Sequence, residues 1–179
     1  MKHLIAAMAL MPGLALAAGT STPTPPPTTE NTTLCTDGFV YDAEIKACVE
    51  PTDGQKSGVL SEDELKEAVR EFAYAGQHEN AQTVLGLLDQ DDDFTLTYLG
   101  FTTRKMGDMD QGMAFYDAAL VKNPDNLLAR SYMGQALVEQ GDMDGARVQL
   151  AQINARGGAD TWPATSLSKA IDTGRGYSY

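Results

Sequence analysis

The sequence predicts an all-α fold of three stacked helix–turn–helix pairs, closed by a C-terminal capping helix. Two short segments recur 34 residues further along: Tyr98-Leu99-Gly100 as Tyr132-Met133-Gly134, and Gly107-Asp108-Met109-Asp110 as Gly141-Asp142-Met143-Asp144. Two recurrences at one offset indicate a tandem repeat, and this period is typical of stacked helical pairs. A third observation agrees, because Ser61-Glu62-Asp63-Glu64 is a capping box, the pattern that begins a helix.

Residues 1–18 are predicted to be a secretory signal peptide. A short basic start precedes an apolar stretch from Leu4 to Leu16, and Ala15-Leu16-Ala17 fits the small-x-small cleavage pattern. Cleavage is expected after Ala17 or Ala18. The apolar stretch is shorter than the about 20 apolar residues that a spanning helix needs. An uncleaved anchor is therefore the less favoured alternative, and no integral membrane segment is expected after cleavage.

Residues 19–33 are predicted to form a disordered linker. They are almost entirely Thr, Pro, Ser and Gly, a composition that cannot bury enough apolar surface to offset the entropy of ordering. Asn31-Thr32-Thr33 within this stretch matches a glycosylation sequon. Residues 52–60 are predicted to form a second, shorter linker.

Residues 34–51, between the two linkers, are predicted to form a small module with a disulfide. The chain has two cysteines, Cys35 and Cys48, and a close pair in an exported protein most often forms a disulfide. Asp37-Gly38 indicates a turn and Phe39-Val40-Tyr41 a short strand, so the module should be a hairpin. It is either a rigid cap or spacer, or a small recognition patch that uses Phe39 and Tyr41.

Residues 61–173 are predicted to hold the three helical pairs and the capping helix. The first pair begins at Glu62, the second at Asp93 and the third at Leu127, and each has apolar residues at helical spacing. Pro163 suits the first turn of the capping helix. Residues 174–179 should be a frayed tail.

The helical pairs resemble the tetratricopeptide repeat, whose 34-residue unit has large and small residues at fixed positions. The second pair matches this pattern at Leu96, Leu99-Gly100, Gly107, Gly112, Tyr116, Ala119 and Pro124. The third matches it at Met133-Gly134, Leu137, Gly141, Ala146, Leu150 and Ile153. The first pair departs from the pattern, with Ala68-Val69 in place of Leu-Gly.

The composition and motifs argue against several classes of function. The formal net charge of −12 makes nucleic acid and anionic lipid poor partners. No catalytic constellation or cofactor motif is found, so the protein is predicted not to be an enzyme. No metal site is predicted either, because the acidic run at Asp89 has Phe94 and Gly100 where a calcium-binding loop needs Gly and Glu. His78 is expected to be a solvated surface residue.

The resemblance implies a binding groove lined by the first helix of each pair. The groove positions carried over to this sequence are Asp63, Lys66, Arg70, Ala73 and Tyr74 in the first pair, Phe94, Thr97, Phe101, Arg104 and Lys105 in the second, and Leu128, Ser131, Gln135, Val138 and Glu139 in the third. The residues predicted to bind the partner are Lys66, Arg70, Tyr74, Thr97, Phe101, Arg104, Lys105, Ser131 and Gln135. Lys66, Arg70 and Tyr74 share one helical face, as do Thr97, Phe101 and Lys105. These residues predict a mildly basic, aromatic groove for an acidic peptide segment or a C-terminal carboxylate. Alternatively, the cations pair with neighbours such as Glu62, Glu67 or Asp108.

The sequence therefore predicts an exported, non-enzymatic scaffold or adaptor that binds a protein or peptide. The expected location is the periplasm, or the outside of the cell. The alternative is an envelope-associated structural or cell-wall-binding protein, in which the linker and the hairpin hold the repeats near the envelope.

Overall fold

A computed structural model of the chain describes residues 28–50 and 60–176. The predicted signal peptide, residues 19–27, residues 51–59 and the last three residues lie outside the described residues. The elements are α1 (Glu30–Thr33), β1 (Val40–Asp42), β2 (Ala47–Val49), α2 (Glu62–Tyr74), α3 (His78–Leu85), α4 (Asp93–Lys105), α5 (Met109–Lys122), α6 (Leu127–Gln140), α7 (Met143–Ala155) and α8 (Trp162–Thr173).

The all-α architecture predicted from the repeat is confirmed. The helices α2 and α3, α4 and α5, and α6 and α7 form the three pairs, and α8 packs on the last of them. Gly76, Gly107 and Gly141 connect the two helices of each pair with φ angles of +78°, +104° and +83°. Only glycine adopts this left-handed conformation readily, which explains why glycine ends each first helix.

Side-chain caps begin the helices where the sequence predicts them. Ser61 and Glu64 form the reciprocal capping box of α2. The carboxylates of Asp108 and Asp142 accept hydrogen bonds from the backbone N–H groups of Gln111, at 3.0 Å, and Gly145, at 2.9 Å. These bonds satisfy amides that the first turn of a helix leaves unpaired. The repeated Gly-Asp pair thus ends one helix and starts the next.

Small residues allow the two helices of a pair to pack closely. A Cβ atom at Gly100 of α4 would lie 2.5 Å from the ring of Tyr116 and 3.1 Å from the carbonyl oxygen of Gly112, both on α5. Tyr116 is fully buried. Gly100, which recurs as Gly134, therefore serves packing, because the two helix axes lie too close for a larger side chain.

The capping helix α8 covers the end of the third pair. Leu167 is fully buried and lies against Gly134 of α6, where a Cβ atom would be 2.6 Å from the leucine Cδ2. Trp162, by contrast, is only half-buried. Trp162 is the residue that the sequence predicts to cover this end, but Leu167 makes the fully buried contact with the third pair.

The cysteine module caps the other end of the stack. Cys35 and Cys48 form the predicted disulfide, and β1 pairs antiparallel with β2. The Val40 side chain is buried in the core together with residues of α2 and α3, and Gly38 lies against Thr83 of α3. The hairpin is therefore packed on the first pair and stabilised by more than its disulfide.

A buried carboxylate on α2 anchors the segment before the module. Glu71 accepts four hydrogen bonds: from the backbone N–H of Thr29 at 2.6 Å, the Thr29 hydroxyl at 2.6 Å, the Asn31 amide at 3.1 Å and the Thr32 hydroxyl at 2.8 Å. Residues 30–33 form the short helix α1, where the sequence predicts linker. Residues 29–33 are therefore docked on α2. The Asn31 amide nitrogen, which a glycan would modify, is already a donor in this cluster.

This cluster should respond to acid. Burial alone would raise the pKa of Glu71, but the hydrogen bonds from Thr29, Asn31 and Thr32 outweigh it and leave the pKa below its ordinary value. A lowered pKa stabilises docking above the ordinary value of about 4.3, and this contribution is lost as the pH falls through the docked pKa. The Tyr41 amide reports on docking, because it donates to Oδ1 of Asn31 at 2.7 Å. We expect the hydrogen-exchange protection of the Tyr41 amide to decline more steeply in acid in the wild type than in E71Q. Equal pH dependence in the two proteins would contradict this assignment.

Candidate functional site

The first helices α2, α4 and α6 lie side by side and form a surface that we call the concave face. Nine residues of this face are the predicted groove residues. Five of them are buried to at least 96%: Thr97, Phe101, Arg104, Ser131 and Gln135. These five contribute to the packing beneath the face and do not offer accessible surface. The remaining four are Lys66, Arg70, Tyr74 and Lys105, which are partly exposed.

Aromatic rings fill the space between the first helices. The Tyr74 hydroxyl lies 2.6 Å from the Tyr132 hydroxyl and 3.3 Å from that of Tyr98. The Phe101 ring lies 4.8 Å from that of Tyr132 and 6.1 Å from that of Tyr74, centroid to centroid. This packing holds α2, α4 and α6 together, and it explains why Phe101 is core and not groove.

Ser131 and Gln135 are covered by α8. The Ser131 hydroxyl lies 3.0 Å from that of Ser166 on α8, and the Gln135 amide donates to Ser131 at 3.3 Å. The two residues sit on the predicted face of α6, but the capping helix occupies that side. In this structure they form a buried polar contact between two helices.

Arg104 forms a buried ion pair across the first helices. Its Nη1 lies 2.7 Å from Oε1 of Glu139 on α6, and the side-chain exposures are 0% for Arg104 and 29% for Glu139. The Tyr116 hydroxyl lies close to the guanidinium, and its interaction with Arg104 favours the charged form of the arginine. The neighbouring Tyr116 is also buried, and burial raises its pKa to about 12 although the Arg104 charge opposes the shift. Arg104 therefore links α4 to α6.

Lys66 and Arg70 both lie close to the Phe94 ring. Lys66 Nζ is 5.4 Å and Arg70 Cζ 5.3 Å from the ring centroid, within the range of cation–π interactions. Both cations also have carboxylate partners on the surface. Lys66 pairs with Glu62 at 2.6 Å and more distantly with Asp92 at 3.4 Å, and Arg70 pairs with Glu67 at 2.7 Å. The alternative interpretation of the sequence, local charge pairing, thus describes these two residues.

Lys105 differs from the other two cations because it has no ion pair among the described residues. Its Nζ lies 5.9 Å from the Phe101 ring centroid. The His78 ring lies 5.8 Å from the same ring, edge to face, and His78 Nδ1 is buried with no hydrogen-bond partner among the described residues. His78 is thus half-buried beside Lys105, and the expectation of a solvated surface residue is wrong.

The electrostatics around Phe101 favour an anion. Burial lowers the pKa of His78, and the charges of Lys105 and Arg104 lower it further. Burial also lowers the pKa of Lys105, as does Arg104, while Glu139 partly compensates. Both groups are less easily protonated chiefly because they are buried, and the neighbouring positive charges add to this effect. A carboxylate from outside would stabilise their charged forms.

Two residues, Phe94 and His78, make contacts in the site that the sequence does not predict. Phe94 appears among the groove positions in the sequence, but its contacts with Lys66 and Arg70 depend on how closely α2 and α4 pack. His78 lies at the start of α3, outside the first helices. Its proximity to Phe101 has no signal in the repeat pattern, because it results from the stacking of one pair on the next.

Comparison with known families agrees with this architecture. A family model described as tetratricopeptide repeat matches residues 104–161, which run from the end of α4 to the start of α8. Together with the helical pairs, this match to part of the chain supports a tetratricopeptide repeat fold. Searches of curated proteins and of solved structures gave no match.

Residues 28–50 and 60–176 include no helix with the length and the apolar character that crossing a bilayer would require. They contain no group of three or more His, Cys, Asp or Glu side chains arranged to hold a metal ion.

Proposed function

We propose that this protein is a non-enzymatic scaffold that binds a protein or peptide partner on its concave face. Lys105 carries the proposal, because it is a half-buried cation beside an aromatic ring with no ion pair among the described residues. Arg70 and Lys66 extend the same face along α2. The partner segment supplies a carboxylate, from an acidic side chain or from its C-terminus, that binds at Lys105.

The ion pairs of Lys66 and Arg70 do not prevent this role. Glu62 and Glu67, their partners, have side-chain exposures of 69% and 55%. Exposed pairs of this kind contribute only about 0.2–1 kcal/mol each. A carboxylate of the partner can therefore replace Glu62 or Glu67 at little cost. The Phe94 ring beside the two cations offers apolar contact to the same segment.

The scaffold acts outside the cytoplasm, in the periplasm or in the extracellular medium. The predicted signal peptide supports export, and the Cys35–Cys48 disulfide is compatible with an oxidising compartment. The alternative, an envelope-associated or cell-wall-binding protein, assigns recognition to the cysteine module. The packing of Val40 and Gly38 on the first pair already accounts for that module as a cap. The adaptor is therefore the function that the structure favours.

Cross-linking in intact cells that express the full chain, followed by identification of the captured protein, tests the proposal. The variant R70A/K105A should lose at least about 90% of the capture, since one charge-assisted hydrogen bond contributes about 1.5–3 kcal/mol. The matched control is K122A/R147A, which removes one lysine and one arginine from exposed positions on the second helices. The control should retain capture.

Arg104 is omitted from this variant because it lies in the core. If R70A/K105A, shown to be folded by circular dichroism, captures the same partner as the wild type, the concave face is not the binding site. Equal loss in R70A/K105A and in K122A/R147A would also contradict the proposal, because it would indicate a general charge effect.

A further inference from the structure

A second surface, separate from the concave face, lies between α7 and α8. It is an open groove of about 490 Å³, which we call the C-terminal groove. Leu150 and Asn154 of α7 form one wall, and Ala164, Ser168 and Asp172 of α8 form the other. The three α8 residues follow one another at intervals of four, so they share one face of the helix.

The capping helix occupies the position of a first helix in a fourth repeat. It packs on both helices of the third pair, as α6 packs on both helices of the second, although α8 contacts α6 more extensively than α6 contacts α4. It ends at Gly174 with a φ of +65°, the left-handed turn that also ends α4 and α6. No second helix follows among the described residues. Instead, the chain runs from Gly174 to Gly176, where a Cβ atom would collide with the Glu139 carboxylate of α6.

In the second pair, the second helix covers this side of the first helix. Ala164, Ser168 and Asp172 lie 68 positions after Leu96, Gly100 and Arg104 of α4. That face of α4 holds the second helix α5. A Cβ atom at Gly112 of α5 would lie 3.0 Å from the Gly100 carbonyl oxygen and 2.9 Å from the Arg104 Cβ, and Leu96 packs with Ala119. The C-terminal groove is thus the place of a missing second helix.

The three second-helix segments of the chain share one pattern: a small residue, a large one four positions later and an apolar one three positions after that. The residues are Ala81, Leu85 and Leu88; Gly112, Tyr116 and Ala119; and Ala146, Leu150 and Ile153. We propose that the C-terminal groove binds an amphipathic helix of another protein that carries this pattern and completes a fourth repeat. A second copy is poorly suited as this partner, because the small residue of each of its three segments is already buried.

The chain supplies its own probe for this groove. A synthetic peptide with the sequence of residues 142–155 carries the pattern at Ala146, Leu150 and Ile153. A matched peptide with A146R has a bulky charged side chain at the position that has to pack against Ser168. Isolated helices of this length are marginal in water, so weak binding is expected. An NMR titration of the full chain detects such binding. The amides of Leu150, Ala164 and Ser168 should shift, and A146R should weaken the binding at least about tenfold.

Two variants of the protein complete the test. S168R obstructs the groove at a half-exposed position, whereas V148R introduces the same charge on α7 at a residue that is 56% exposed and outside the groove. The expected result is at least about a tenfold loss of affinity in S168R and less than about twofold in V148R. The proposal is overturned if no shift occurs, if the shifts fall on concave-face residues, or if both variants weaken binding equally. A dimer of the free chain that S168R dissociates would assign the groove to a second copy and overturn it as well.

Discussion

Replacing Glu139 by alanine should lower the free energy of unfolding by at least about 3 kcal/mol, although Glu139 lies at a partly exposed position. The change leaves the guanidinium of Arg104 buried without its carboxylate, and breaking a buried ion pair in this way typically costs about 3–5 kcal/mol. The Arg104 side chain has no exposed surface, so water cannot replace the lost partner without rearrangement. Urea denaturation followed by circular dichroism measures the change.

Replacing the other partner should have a much smaller effect. R104M removes the buried charge together with its desolvation cost, and the methionine fills similar space beside Gly112. Glu139 keeps its 29% exposure and remains hydrated. We expect a loss below about 1.5 kcal/mol. If R104M destabilises the protein as much as E139A, the pair acts through packing and the electrostatic explanation is wrong.

Replacing Gly100 by valine should destabilise the second repeat by about 3 kcal/mol or more. The new Cβ atom would lie 2.5 Å from the Tyr116 ring and 3.1 Å from the backbone of Gly112, so α4 and α5 would have to separate. Overpacking of a close-packed core usually costs about 1–3 kcal/mol, and here a backbone atom blocks relaxation. Thermal unfolding followed at 222 nm measures the effect.

The control for this prediction is G86A. Gly86 ends α3 with a φ of −62°, a conformation open to any residue, and it is exposed. The substitution should change stability by less than about 0.5 kcal/mol. A mild effect of G100V, comparable to that of G86A, would show that the helices of the second repeat are not closely packed at Gly100.

The helical pairs could be predicted from the sequence because two short segments recur at the same offset of 34 residues. Gly107-Asp108 and Gly141-Asp142 each specify a turn and a cap by local chemistry, and the structure confirms both. The disulfide could be predicted for a different reason: the chain has two cysteines, so only the pairing of Cys35 with Cys48 exists. Local signals of this kind need no knowledge of tertiary contacts.

The contacts between elements could not be predicted in this way. Glu71 looks like an ordinary surface carboxylate of α2, yet it is buried by a segment some 40 positions earlier. Thr97, Phe101 and Arg104 share a helical face with Lys105, but only the spacing of α2, α4 and α6 determines which of them stays accessible. Periodicity identifies a face, whereas the depth of each residue within it depends on the neighbouring helices.

The central claim is that accessible cations on the concave face bind a carboxylate-bearing segment. Fluorescence anisotropy with a labelled glutamate-rich peptide that has a free C-terminal carboxylate tests it most directly. At about 0.15 M salt, where exposed charges are largely screened beyond about 8 Å, the wild type should bind the peptide. R70A/K105A should bind it at least about tenfold more weakly, while K122A/R147A should remain within about twofold of the wild type. Equal affinity in all three proteins, or no binding to the wild type, would contradict the claim.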